Sequence, residues 1–212
     1  MNWEEIKQKA ETMMMDWDPD PDHAQQVCHL ALMLYKELES LHQLSSLTSA
    51  DLKPDQTLEL AALLHDIGWT APGNRGHHKK SQDRIMNTEI PGLSVLDKIL
   101  VAQVARYHRK RHPDPMLHFQ FAEMNHDEQM RVQWLAAILR IADGLDRSHT
   151  ADVDHLNCDI CSDDITINIY CSTGSSTAIY GANRKKMLLE KISDKAVIIR
   201  LSEFKVKKRK KK

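Results

Sequence analysis

Ala61-Ala62-Leu63-Leu64-His65-Asp66-Ile67-Gly68 is the stretch that decides the fold. With Leu58 and Leu60 before it, the segment over residues 57–67 reads as a strongly apolar helix, and Gly68 as its stop. A helix this apolar is covered by others, which predicts a helical bundle around it. Its last two positions before Ile67 are His65 and Asp66. Ionisable groups at the buried end of such a helix are costly unless they find a partner, and a metal ion is an efficient one.

Other segments point polar groups toward the same interior. Helical periodicity is read over residues 1–17, 20–38, 78–88, 93–109 and 128–147, with polar connections at 42–55, 70–77 and 110–127. His23 lies four residues before Val27 and seven before Leu30, on the buried stripe of its helix. His108 follows Val104 by four and Val101 by seven, and Asp143 follows Leu139, Ala136 and Val132 by four, seven and eleven. His78 precedes Ile85 by seven, and a small rotation of that helix would put His77 in its place. The candidate metal ligands are therefore His23, His65, Asp66, His78, His108 and Asp143. Imidazoles and carboxylates without thiolates suit Mn, Fe, Zn, Co or Ni, and a carboxylate-rich version suits Mg. Six ligands exceed what one catalytic ion takes with a position left for water, whereas two ions sharing a bridging Asp would use them all.

Beyond residue 152 the pattern changes. Ile165, Ile167, Ile169 and Cys171 alternate with polar residues, residues 173–176 turn, 177–192 read as a helix and 196–201 as a strand. The fold class is mainly α, with a helical unit over 1–150, a small α+β unit over 151–203 and a basic tail over 204–212. The chain of 212 residues has 42% apolar and 28% charged residues, the profile of a folded protein. Four cysteines make no disulfide scaffold, and no apolar run approaches a membrane span, so the expected location is the cytoplasm. Lys205–Lys212 carries seven positive charges while the whole chain carries −1, so the preceding 204 residues carry −8. That distribution argues against a nucleic-acid-binding body and makes the tail a candidate polyanion contact.

The order His23, His65-Asp66, Asp143 resembles that of the HD-domain metal-dependent phosphohydrolases. A closer resemblance is to the helical, HD-like C-terminal half of the exopolyphosphatase/guanosine pentaphosphatase family. It rests on Asp22–Val27, Ala61–Gly68, His78–Ser81, Ile90-Pro91-Gly92, Arg106–Lys110 and Leu139–Ser148, covering residues 17–150, and more loosely on the α+β end. That family's actin-like catalytic domains find no counterpart here, and its members often carry a degraded HD motif where this chain keeps the full ligand set. The resemblance therefore implies chemistry in the helical unit itself. The lysine common after the HD motif in the cyclic-dinucleotide branch is Trp69 here, which disfavours that branch.

The implied reaction is hydrolysis of a phosphate ester or anhydride with one or two divalent metal ions, on a nucleotide, guanosine penta- or tetraphosphate, or polyphosphate. Asp66 is expected to bridge the ions and orient water, and Arg147 and Arg109 to bind phosphate, with Lys110, Lys79 and Lys80 as further candidates. The alternative is a non-catalytic module that binds polyphosphate, nucleotide or RNA. A di-iron oxygenase would carry the same ligands. Expected partners are the phosphorylated substrate, a polyanion at Lys205–Lys212 and a second copy in a homodimer, with no membrane.

Overall fold

The structure is a computed structural model and describes residues 2–42, 50–70, 75–171 and 176–202. The expected loop centre at 71–74, most of the turn at 173–176 and the basic tail lie outside these residues.

Among the described residues the molecule is mainly α, with a three-stranded sheet at its C-terminal end. Each long helix begins where the local sequence supplies partners for its free N–H groups. In α1 (Trp3–Trp17) the Asn2 side chain accepts from the N–H of Glu4 at 3.2 Å. In α2 (Pro21–Glu37) Asp20 caps the N–H of His23 and Pro21 takes the first helical position. Ser94 caps α5 (Val95–Arg106), and Asn125 with Glu128 forms a reciprocal capping box on α7 (His126–Leu145). Between them lie α3 (Pro54–Leu63), α4 (His77–Asn87) and the single turn α6 (Phe119–Ala122). Helices α2, α3, α5 and α7 share one core, in which Leu30, Leu58, Leu60, Val101, Leu135 and Ile138 have no exposed surface.

The central helix is shorter than its sequence suggests. α3 ends at Leu63, so His65 and Asp66 stand on the turn beyond it. Gly68 does not stop a helix. Its backbone lies directly against His77 O and Ser81 N at the start of α4, and a Cβ would have no room there. Its N–H donates to Ser81 Oγ at 2.9 Å. This close approach sets α4 beside the His65-Asp66 turn.

The C-terminal sheet runs in the order β1 (Val153–Ile160), β2 (Asp164–Cys171), β3 (Ala196–Leu201). β1 pairs antiparallel with β2, from Val153 opposite Cys171 to Ile160 opposite Ile165. β3 pairs parallel with β2, from Asp164 opposite Ala196 to Ile169 opposite Leu201. The crossover between β2 and β3 holds two helices in place of the single one expected over 177–192: α8 (Ser176–Asn183) and α9 (Met187–Ser193). The break comes at Arg184–Lys186, where the N–H of Lys185 turns back to Ala182 O at 2.9 Å. α8 lies on α7 through two glycines. A Cβ on Gly144 would sit 2.8 Å from the backbone of Gly181 and Ala182, and one on Gly181 would strike Gly144 O. Among the described residues no helix is long and apolar enough to cross a membrane.

Candidate metal centre and its cationic rim

Two groups of side chains converge at one place. His23, His65 and Asp143 form one triad and Asp66, His77 and His108 the other, with the ligand atoms of each within 4.8 Å of one another. Asp66 stands between them: its Oδ2 is 3.7 Å from His65 Nε2, and its Oδ1 is 3.1 Å from His77 Nε2 and 3.5 Å from His108 Nε2. His23 Nε2 is 3.8 Å from Asp143 Oδ1. Five of the six residues expected from the sequence thus meet, together with His77.

His78 is turned away, and His77 stands in the place expected for it. α4 begins one residue earlier than its apolar pattern suggests, after Gly76 in the left-handed conformation. That start, with the Gly68 contact, aims His77 inward, where its ring stacks between those of Trp69 at 5.2 Å and His108 at 5.3 Å. His78 faces a neighbouring cavity. Burial, and then the neighbouring His77, Arg109 and Arg106, push its imidazole down to about 4.

The backs of three imidazoles are already committed. Nδ1–H of His65 donates to Ala62 O, and that of His108 to Ala105 O, each at 2.7 Å. Nδ1–H of His23 donates to Asp146 Oδ2 at 2.7 Å, and Asp146 is itself held by the N–H of Ala151. These bonds fix the tautomer and leave Nε2 as a lone pair facing the cluster. Among the described residues His65 Nε2 is buried without a hydrogen bond, and His77 Nε2–H lies within donating distance of His108 Nε2 at 3.2 Å and of Asp66 Oδ1 at 3.1 Å. The Nε2 lone pairs of His23, His65 and His108, converging beside two carboxylates, fit divalent cations of the nitrogen- and oxygen-liking kind.

Electrostatics favour the ligating forms of Asp66, Asp143 and His108. Burial alone would raise Asp66, yet His65, His77 and His108 hold its carboxyl well below the usual carboxylate range. Asp143 is also depressed, because the Lys185 ammonium beside it outweighs burial. Burial drives His108 well below the ordinary histidine value. At His23 burial is overcome by Asp146, Asp143 and Asp66, which raise it. Asp18, close by and buried, has an unpaired Oδ2 and a carboxyl raised by burial.

The cluster opens into a cavity of about 440 Å³ rimmed by Arg109, Lys110, Arg140, Arg147, Arg184 and Lys185. Arg109 and Arg147 were expected there. Lys79 lies at the neighbouring cavity instead, and Lys80 is exposed, donating to Thr70 Oγ1 at 2.7 Å. Arg184, Lys185, Arg140, Asp146 and the stacking of His149 on His23 at 3.8 Å are additions the sequence reading lacked. Arg140 holds the loop after α5, donating to Tyr107 O at 2.8 Å and Lys110 O at 3.1 Å, where Lys110 has a φ of 62°.

Fold and site together define a mainly α protein with clustered imidazoles and carboxylates of metal-holding type under a cationic rim. The family described as Ppx/GppA phosphatase, domain III, matches residues 7–179. The chain belongs to that family, one of phosphatases, and the matched stretch contains all six clustered residues. No curated protein matches the chain.

Proposed function

We propose that the chain is a metal-dependent phosphohydrolase of HD-domain type, a helical bundle over residues 1–150 closed by the α+β unit, working in the cytoplasm. The observation that carries this is the pair of triads with the backs of His23, His65 and His108 already bonded, so that Nε2 faces inward. His23, His65 and Asp143 would hold one divalent ion and His77 and His108 the other, with Asp66 between them. Ions so placed supply a water activated near neutral pH and offset phosphoryl charge.

The chain's own residues do the rest. Asp66 is the acceptor positioned to orient the attacking water, since its carboxyl stays ionised at neutral pH. Asp146 holds His23 in the ligating tautomer. Arg147, Arg109, Arg184 and Lys185 bind phosphoryl oxygens as charge builds on them. A rim of this charge suits a nucleotide polyphosphate or polyphosphate better than an uncharged ester. The test joins metal content per chain by elemental analysis with phosphate release from nucleotides and polyphosphate. About two ions per chain and metal-dependent release are expected, and a chain that takes up no metal sinks the reading.

A further inference from the structure

A second cavity, of about 590 Å³, lies behind the loop that follows α5. It is walled by Lys79, Arg106, Arg111, His78, His118 and Leu117, and it shares Arg109 and Lys110 with the first cavity. Among the described residues no acidic one lines it. Asp114, on the same loop, is engaged with the N–H of Met116 at 2.9 Å. Two imidazole nitrogens of the wall, His78 Nδ1 and His118 Nδ1, are buried with no hydrogen-bond partner among the described residues. Burial first, and Arg106 next, keep the His118 imidazole below its ordinary value, so near neutral pH it is an uncharged hydrogen-bonding group. Cations gathered around one hollow repel each other, and an anion in the hollow relieves that repulsion. Arg140 donates to Tyr107 O and Lys110 O, and Lys110 is in the left-handed conformation, so the backbone of the shared wall is held in place by the fold.

We propose that this cavity is a second anion site, for a phosphoryl group, separate from the metal cluster and joined to it across Arg109 and Lys110. The site does not depend on the hydrolytic reading. The wall is thin: the His78 ring, lining the second cavity, lies 6.4 Å from the His108 ring of the cluster. The phosphoryl group could belong to the far end of a chain whose near end sits on the cluster, or to free phosphate.

The test uses the full chain, with inorganic phosphate and tripolyphosphate as probes and binding read by calorimetry. Arg147→Ser with Arg184→Ser is the background, because these two cations line the first cavity and not the second. Binding should persist in that background and fall roughly tenfold or more when Lys79→Ser and Arg111→Ser are added. Lys36→Ser with Lys53→Ser, two exposed lysines outside both cavities, should leave it unchanged and controls for net charge. Loss of binding in the Arg147→Ser, Arg184→Ser background alone overturns the proposal, as does equal weakening by the two added pairs. Tripolyphosphate favoured over phosphate only while Arg147 and Arg184 are present identifies a ligand spanning both cavities. Equal affinity in both backgrounds identifies free phosphate.

Discussion

His23 and Asp143 stand within the long helices α2 and α7, and the third member of their triad, His65, sits two residues past α3 with its ring bonded back to Ala62 O. The other triad has no member inside a long helix: Asp66 stands on the turn beside His65, His77 is the first residue of α4, and His108 lies two residues past α5 with its ring bonded back to Ala105 O. The first triad thus takes two of its three positions from core packing. The second depends on a few local contacts: Gly68 against α4, and Arg140 on the loop after His108. Side chains fixed by a packed core lose less freedom on binding than side chains on turns. The helix-borne half should therefore hold an ion more tightly than the turn-borne half.

The harshest way to break that contrast is Asp66→Ala, because Asp66 touches both halves. Hydrolysis should fall roughly a thousandfold or more, about 4 kcal/mol of barrier, with helix content by circular dichroism retained. Loss of only one ion would show that Asp66 belongs to one half alone.

His77→Asn against His78→Asn sharpens the contrast. His77→Asn should release one of the two ions, from the turn-borne half, and slow turnover strongly, while His78→Asn should leave metal content intact. Elemental analysis decides between them, and the reverse result would mean that α4 is rotated by one residue.

The smallest effect is in the pH dependence of the metal-stripped chain. His108 is held neutral by burial, whereas an unfolded histidine protonates near 6.5, so acidification favours unfolding below that value. His23, raised by its carboxylates, works in the opposite direction: its contribution is full below 6.5 and is lost as pH rises through its folded value. Urea unfolding at pH 7.5 and 5.5 should show a shallower acid loss for His108→Asn than for the unchanged chain. Equal slopes would mean that His108 is not buried in the neutral form.

The same contrast governs what could be read from sequence. His23, His108 and Asp143 were legible because each continues the apolar stripe of its own helix, and a stripe fixes which way a side chain points. His65-Asp66 was legible from the apolar run before it. The choice between His77 and His78 was not, because one residue along a helix is a rotation of about 100°. That rotation is set here by a backbone contact with Gly68. The mainly α class and the last two strands followed from periodicity. β1 did not, since an irregularity between Val153 and His155 breaks its alternation. β2 alternates in sequence, yet Thr166 and Asn168 are buried as well, because it is the central strand. Asp146 and Lys185 gave no signal, because their partners lie 123 and 42 residues away.

The glycine contact between α7 and α8 also orders events in time. Every residue of both triads precedes Gly144, while Lys185 meets Asp143 across 42 residues of chain and arrives only with α8. A chain growing from its N-terminus therefore completes both triads well before the last cations of the rim are synthesised. On the proposed reading, every metal ligand of the nascent protein is in place in the chain about 40 residues before Arg184 and Lys185 complete the phosphate-binding rim.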